Sequence, residues 1–120
     1  MKKALIVEDN VSVQKMDESM LHHLGYTCKI VSCGEDAISQ FSAVFNTDSS
    51  FSVIILDMNL TGKVSSGKEV ARQINNLDPD VHIIAVSGNQ NLENINELQQ
   101  VGISHILYKP FRLDDLRKIL

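Results

Sequence analysis

Short apolar runs alternate with helical patterns along the whole chain. Five runs have the length of buried strands and are too short for helices. They cover residues 3–7, 26–32, 51–56, 81–86 and 103–108. After each run, apolar residues recur every three or four positions, which is the spacing of an amphipathic helix. The pattern therefore predicts five strands, each followed by a helix.

The inward faces of the five predicted helices are marked by apolar residues at helical spacing. These residues are Val13, Met16, Met20 and Leu24; Ile38, Phe41 and Phe45; Val70, Ile74 and Leu77; Leu92, Ile95 and Leu98; and Leu113, Leu116 and Ile119. Gly25 is expected to end the first helix, because glycine readily adopts the left-handed conformation found there. Gly34 is expected to open the second helix.

Strict alternation of strands and helices predicts an α/β fold. Its parallel sheet would be covered by helices on both faces, as a three-layer sandwich. Right-handed crossovers leave few topologies, and five strands favour the flavodoxin-like order 2-1-3-4-5. The second run alternates apolar and polar residues, which suits a strand at the edge. No linker or repeat interrupts the pattern, so residues 1–120 are predicted to form one domain.

Composition narrows the class of protein. With 43% hydrophobic and 22% charged residues, the chain has the composition of a soluble globular domain. The net charge of −4, with acids and bases interspersed, argues against direct binding of nucleic acid. No apolar run approaches the roughly 20 residues of a membrane span. The first residues hold too short an apolar stretch for a signal peptide, so a cytoplasmic location is expected.

The two cysteines and four histidines offer no chemistry by their spacing. Cys28 and Cys33 match no metal-binding or redox pattern and are expected to be reduced thiols. The histidines show no metal-ligand spacing; they are His22, His23, His82 and His105.

Polar side chains follow four of the five predicted strands. Glu8 and Asp9 follow the first, Asp57 the third, Ser87 the fourth and Lys109 the fifth. In an open parallel sheet, ligands bind beyond the carboxyl ends of the strands, near the point where strand order reverses. With the order 2-1-3-4-5, three carboxylates, a hydroxyl and an ammonium are therefore expected around one crevice.

Asp57 is the most informative of these residues. Asp9 alone reads as a helix-capping residue, Ser87 as a turn residue and Lys109 as solvated surface. Asp57, however, follows four apolar residues, and a buried carboxylate is costly unless it is paired or bound to a metal. Three carboxylates favour a hard cation, and their oxygens with retained waters suit Mg²⁺ better than Ca²⁺. With that charge neutralised, Asp57 is predicted to act as a nucleophile toward phosphorus.

Four motifs in this order resemble the receiver domain of two-component response regulators. They are LIVEDN, VIILDMNL, AVSGN and LYKPF, and they extend from residue 5 to residue 111. The resemblance covers the whole chain, and the family has the same 2-1-3-4-5 sheet. A narrower likeness, in EDNVSVQ, HLGY, NLTGKVSSGKE and LDPDVHIIAVSGN, points to receivers of hybrid sensor histidine kinases. The chain is then either a domain of a larger protein or a stand-alone regulator.

The resemblance implies a role for each residue of the acidic motifs. Glu8 and Asp9 are expected to bind Mg²⁺ as an acidic pair. Asp57 is expected to contact the same ion and to be the phosphoacceptor. The main-chain carbonyl of Asn59 is expected to complete the metal shell. Asn89, like Asn59, occupies a position where family members tune dephosphorylation.

The resemblance also implies roles on the last two strands. Ser87 takes the place of the switch hydroxyl, and Lys109 is expected to contact the phosphoryl group. Pro110 is expected to follow a cis peptide bond. The switch position that usually holds Tyr or Phe falls on Ile106, which departs from the family pattern. Tyr108 shares the face of Ile106 and either substitutes for the aromatic residue or only packs.

The loop after the third strand is a further departure from the family. Thr61 stands where the family usually has proline, and the loop is about two residues longer than the commonest form. The third helix is therefore expected to start differently.

The function implied is a phosphorylation-controlled signalling domain rather than a turnover enzyme. The phosphoryl donor would be a phosphohistidine on a sensor histidine kinase or a histidine phosphotransfer protein. Phosphorylation would change the surface formed by the fourth helix, the fifth strand and the fifth helix for a downstream effector. A monomer and a weak phosphorylation-dependent dimer both remain open.

Three other classes of protein are compatible with the fold. A Mg²⁺-dependent phosphotransferase or phosphatase with an aspartyl nucleophile usually carries Asp-x-Asp at the strand end. This chain has Asp57, Met58 and Asn59 there, and no cap domain. A flavodoxin-like carrier would need a phosphate-binding loop after the first strand, where Glu8 and Asp9 have the wrong charge. A phosphate-blind adaptor would show no affinity for Mg²⁺.

Overall fold

The computed structural model describes residues 2–58, 67–88 and 95–120. The strands are β1 (Lys2–Val7), β2 (Tyr26–Val31), β3 (Val53–Asp57), β4 (His82–Ser87) and β5 (Ile103–Tyr108). The helices are α1 (Val11–His23), α2 (Gly34–Val44), α3 (Gly67–Leu77), α4 (Ile95–Gln100) and α5 (Leu113–Ile119). The predicted alternation of strands and helices is confirmed.

The five strands form one parallel sheet in the order β2-β1-β3-β4-β5, as predicted. In this order β1 and β3 are neighbours, and Val7 pairs with Leu56. On the other side of β3, Asp57 pairs with Val86 of β4. The carboxyl ends of β1, β3 and β4 therefore lie side by side at one edge of the sheet.

The sheet is covered on both faces by apolar side chains. Because successive strand residues point to opposite faces, Ile54 belongs to one core and Ile55 to the other. Ile54 packs in the core that contains Ile74 of α3, and Ile55 in the core that contains Leu21 of α1. All five residues of β3 are buried, as expected for a central strand of a three-layer α/β sandwich.

Two strands end one residue later than predicted. Asp57 and Ser87 are the last residues of β3 and β4 rather than the residues that follow them. The backbone pairing continues past both ends, because Met58 donates to the carbonyl of Val86 (3.0 Å) and Lys109 to that of Ser87 (2.8 Å). The two site residues are therefore held by the sheet itself.

The rotation of α1 about its axis differs from the prediction. Met16, predicted to face the core, has an exposed fraction of 52%, whereas Asp17 has only 4%. Leu21, four residues after Asp17, is fully buried, so these two residues share the inward face. The end of the helix is as predicted, since Gly25 has a φ of 93°.

Three other predicted core residues lie largely at the surface. Phe45, Leu77 and Ile95 are exposed, because each stands at or beside the end of its helix. Leu92, predicted for the inward face of the fourth helix, lies outside the described residues.

His82 and His105 form a contact that the sequence did not predict. His82 Nε2 and His105 Nδ1 are 2.9 Å apart, on the adjacent strands β4 and β5. Burial, together with the nearby imidazole of His105, lowers the pKa of His82. His82 begins β4 and Ser87 ends it, so the pair is remote from the carboxyl edge. Both cysteines are free, as predicted. None of the helices in the described ranges is long and apolar enough to span a membrane.

Candidate functional site

Three carboxylates meet where β1 and β3 end. Glu8, Asp9 and Asp57 each offer a carboxylate oxygen, and these oxygens lie within 4.8 Å of one another. Glu8 and Asp57 are buried, with exposed fractions of 2% and 4%, while Asp9 faces solvent. The structure therefore brings together the acidic residues that the sequence predicted, at the predicted edge of the sheet.

The segment after β1 has defined hydrogen bonds. The backbone N–H of Asp9 donates to Glu8 Oε2 at 3.2 Å. The side-chain amide of Gln14, on the first turns of α1, donates to the main-chain carbonyl of Glu8 at 2.6 Å. Asn10 caps the same helix by accepting a hydrogen bond from the N–H of Val13. These contacts fix the acidic pair between β1 and α1.

Lys109 brings a positive charge to the three carboxylates. Its Nζ lies 3.3 Å from Glu8 Oε1 and 3.8 Å from Asp57 Oδ1. The residue follows β5, and the cis peptide bond predicted between it and Pro110 is present. Its side chain is 34% exposed, so the ammonium retains contact with solvent.

One ammonium does not balance the acidic cluster. Burial, a hydrogen bond with Asp57 and repulsion by Asp57 raise the pKa of Glu8 to about 8, although Lys109 acts in the opposite direction. The site thus disfavours full ionisation of its carboxyl groups when no cation is bound. Closely spaced carboxylate oxygens with residual negative charge are the ligands that Mg²⁺ binds. Glu8, Asp9 and Asp57 therefore fit a magnesium ion.

Ser87 lies beside the acidic cluster at the end of β4. It follows Val86, the pairing partner of Asp57, and its exposed fraction is 1%. In the sheet it pairs with Tyr108 of β5. Ser87 therefore lies between β3, which carries Asp57, and β5, which precedes Lys109.

Ile106 and Tyr108 lie on one face of β5. Together with residues of α4 they line a cavity of about 230 Å³, and Ile95 and Leu98 contribute to its walls. Ile106 is partly buried against the core, and Tyr108 is half-buried. In this structure the predicted switch position holds an aliphatic side chain beside a cavity.

Three predicted positions lie outside the described residues. These are Asn59, expected to supply a main-chain carbonyl, Asn89 and Thr61.

Gly67 brings the start of α3 against the residue that follows Asp57. A Cβ atom at Gly67 would lie 2.7 Å from Met58 Sδ and 2.9 Å from Met58 Cα. Met58 is held in place by its hydrogen bond to Val86. Only glycine allows this close approach of α3 to the end of β3.

Asp17 is a buried acidic residue near the site that the sequence analysis missed. It lies on the inward face of α1 and shares the lining of a cavity with Lys109 and Phe111. Burial raises its pKa to about 6, while Lys109 opposes the shift. The sequence did contain one indication, since Asp17 lies four residues before Leu21, as residues on one face of a helix do. Met16 and Met20 have the same spacing, however, and favour a different inward face.

Comparison with known proteins identifies the class to which this sheet order and acidic cluster belong. Residues 4–120 match the response regulator receiver domain family. The chain therefore belongs to this family and is a receiver domain of two-component systems. Receiver domains are signalling domains rather than turnover enzymes.

Among curated proteins, the chain is similar to segments of much longer proteins. It is 28% identical over 123 residues to the peroxide stress-activated histidine kinase mak3 of Schizosaccharomyces pombe, covering 98% of this chain and 5% of that protein. It is 31% identical over 119 residues to the transcription factor SKN7 of Saccharomyces cerevisiae, covering 97% of this chain and 18% of that protein. The chain thus spans a small part of these relatives.

Solved structures show the same fold. The receiver domain of the sensor histidine kinase PA1611 from Pseudomonas aeruginosa has a TM-score of 0.81 and 29% identity, over 98% of this chain and 93% of that one. That structure contains a magnesium ion coordinated in the active site cleft. The chemotaxis protein CheY4 of Vibrio cholerae has a TM-score of 0.84 and 25% identity, over 100% and 99% of the two chains.

Proposed function

We propose that the chain accepts a phosphoryl group on Asp57 from a phosphohistidine, in a reaction that requires Mg²⁺. The donor would be a sensor histidine kinase or a histidine phosphotransfer protein. The observation that carries this proposal is the buried carboxylate of Asp57 beside two further carboxylates, with Lys109 Nζ 3.8 Å away. Similarity to a histidine kinase over nearly the whole chain supports the class of partner.

The acidic cluster would prepare Asp57 for attack on phosphorus. Glu8, Asp9 and Asp57 would hold the metal ion, and the family resemblance adds the main-chain carbonyl of Asn59. Bound Mg²⁺ would neutralise the carboxylates and the oxygens of the transferred phosphoryl group. A carboxylate oxygen of Asp57 then forms the new P–O bond. The P–N bond to the donor imidazole breaks, and its electron pair returns to the imidazole nitrogen.

Lys109 and Ser87 would stabilise the product. The ammonium of Lys109 now shares its charge between Glu8 and Asp57, at 3.3 and 3.8 Å. Once these carboxylates are neutralised, it becomes available to a phosphoryl oxygen as a charge-assisted donor. The hydroxyl of Ser87 would supply a second donor from the end of β4. Asn59 and Asn89 would tune the lifetime of the aspartyl phosphate.

The new charge would act on the surface formed by α4, β5 and α5. Phosphorylation adds about −1.5 to −2 charges beside the ends of β3 and β4. Ser87 pairs with Tyr108, and Ile106 lies on the same face of β5 beside a cavity. A movement of Ser87 toward the phosphoryl group would therefore displace residues on this face of β5. We expect a downstream effector to bind there.

The apolar start of α1 supports contact with the donor protein. Val11 and Met16 are large apolar side chains with exposed fractions of 60% and 52%. They stand on the helix that directly follows Glu8 and Asp9. A donor that brings its phosphohistidine to Asp57 would cover this surface.

The proposal is tested by intact-protein mass after incubation with Mg²⁺ and a small-molecule phosphodonor. We expect one phosphoryl adduct on the wild type and none on Asp57→Asn, which keeps the shape of the side chain. Asp48→Asn is the matched control, because it removes the same charge from an exposed loop position. Asp48→Asn should form the same adduct as the wild type. Chelation of Mg²⁺ should abolish the adduct on both proteins. A stable adduct on Asp57→Asn would contradict the proposal.

A further inference from the structure

Asp17 is a buried carboxylate that the proposed phosphoryl transfer does not use. It lies on α1 four residues before Leu21, and the two are the buried residues of that helix. An ionised side chain in such a position is costly compared with an apolar one. A nearby group is therefore expected to compensate the charge of Asp17.

Among the described residues that line the cavity beside Asp17, one carries a cationic group. The cavity has a volume of about 130 Å³ and lies between α1 and the segment that follows β5. Its lining consists of Val13, Met16, Asp17, Met20, Lys109, Pro110 and Phe111. Apart from Asp17 and Lys109, all of these side chains are apolar. Lys109 therefore contacts the acidic cluster and also lines the cavity that Asp17 lines.

Lys109 is not tightly held by the acidic cluster. Its distances of 3.3 Å to Glu8 and 3.8 Å to Asp57 exceed the roughly 2.7–2.9 Å of a strong charge-assisted hydrogen bond. A lysine side chain has a flexible four-carbon stem, so its ammonium can shift between nearby acceptors. The positive charge of Lys109 also acts on Asp17, since it opposes the rise that burial causes in the pKa of Asp17.

We propose that Asp17 is a positioning residue for Lys109, which draws the ammonium away from Asp57 and thereby slows phosphoryl transfer. The inference rests on the function proposed for Asp57. When a cation neutralises Glu8 and Asp57, Asp17 is left as the competing carboxylate, in the cavity that it lines together with Lys109. The ammonium must then leave Asp17 in order to contact the phosphoryl group.

Removing the charge of Asp17 should change two measurable quantities in opposite directions. Lys109 would return to Glu8 and Asp57 and compete with Mg²⁺, so the affinity for Mg²⁺ should fall. At saturating Mg²⁺, however, the ammonium would be free to contact the phosphoryl group, so transfer should be faster. Loss of structural integrity would lower both quantities, which distinguishes it from the positioning role.

The experiment compares Asp17→Asn and Asp17→Leu with the wild type. The matched control is Glu18→Gln, which removes the same charge from the adjacent, half-buried residue that does not line the cavity. Mg²⁺ affinity is measured by NMR titration with the metal alone, and the rate by intact mass with a small-molecule phosphodonor. For both Asp17 variants we expect transfer about 3–10-fold faster and Mg²⁺ binding about 2–5-fold weaker. Glu18→Gln should match the wild type.

A double-mutant cycle separates action through Lys109 from a direct effect of charge. In a Lys109→Gln background, Asp17→Asn should no longer change the affinity for Mg²⁺. A change as large as in the wild-type background would overturn the proposal, as would Asp17 variants that behave like Glu18→Gln. If no chain forms an adduct, the function proposed for Asp57 is contradicted. In that case, the double-mutant cycle on the affinity for Mg²⁺ still tests the role of Asp17.

Discussion

At the level of a single residue, we expect Glu8 to link cation binding to proton release. Its pKa is raised to about 8 by burial and by Asp57, so a proton is held at neutral pH. Carboxylates must be ionised to ligate a metal, so this proton leaves when the ion binds. We therefore expect cation binding at Glu8 to depend on pH.

We expect Glu8→Gln to lower the affinity for Mg²⁺ by about tenfold or more, since an amide keeps the shape but loses the charge of the ligand. Calorimetric titration with Mg²⁺ measures this effect. Glu18→Gln serves as the control for the change in net charge and should bind as the wild type does. Unchanged affinity in Glu8→Gln would exclude Glu8 as a metal-binding residue.

The individual site residues differ in how well the sequence predicts them. Asp57 was predictable because its apolar predecessors define a buried strand, and a strand ends at a known edge of a parallel sheet. Lys109 was predictable for the same reason. The pair of His82 and His105 was not, because the contact depends on the register between β4 and β5.

At the level of elements, α1 shows where a periodic pattern is ambiguous. Apolar residues at Met16 and Met20 favour one rotation of the helix, and Leu21 favours a rotation about 100° away. The structure adopts the rotation that buries Leu21 completely and takes Asp17 with it. Hydrophobic spacing alone does not decide this, because the cost of burying Asp17 is opposed by the charge of Lys109, a residue distant in sequence.

Buried Asp17 should make stability depend on pH in a defined direction. Its pKa of about 6 in the folded state exceeds the ordinary value of 3.8, so burial penalises the ionised form. The penalty is fully present above pH 6 and disappears as the pH falls toward 3.8. We therefore expect Asp17→Asn to be more stable than the wild type by about 1–3 kcal/mol at pH 7.5, and by much less at about pH 4.5.

Urea unfolding at both pH values measures this difference, with Glu18→Gln as the control. A difference between Asp17→Asn and the wild type that stays constant with pH would contradict the assignment of the effect to this carboxyl group.

For the whole molecule, one sheet supports two cores. Leu21 lies in the core under α1 and α5, and Ile74 in the core under α2, α3 and α4, and both are fully buried. The overall topology followed from the sequence because alternation and crossover handedness leave few arrangements. The exact ends of the strands did not, because they depend on hydrogen bonds between segments distant in sequence.

Because β3 contributes to both cores, damage to either should destabilise the whole domain. We expect Leu21→Ala and Ile74→Ala each to lower the free energy of unfolding by about 2–5 kcal/mol, in a single cooperative transition. Leu77→Ala is the matched control on α3, since Leu77 is 38% exposed and should cost much less. Equilibrium unfolding in urea gives all three values. Two separate transitions would show that the cores unfold independently.

Gly67 has a consequence for the substitutions that this chain tolerates. Any other residue there would bring a Cβ atom within 2.9 Å of the Cα of Met58, one position after Asp57. Methionine side chains are flexible, but the backbone of Met58 is held by its hydrogen bond to the carbonyl of Val86. In a saturation screen for signalling, position 67 would be depleted as strongly as the acidic residues, although it carries no functional group. Selection at this position would therefore reflect the close approach of α3 to the end of β3 rather than the chemistry of a side chain.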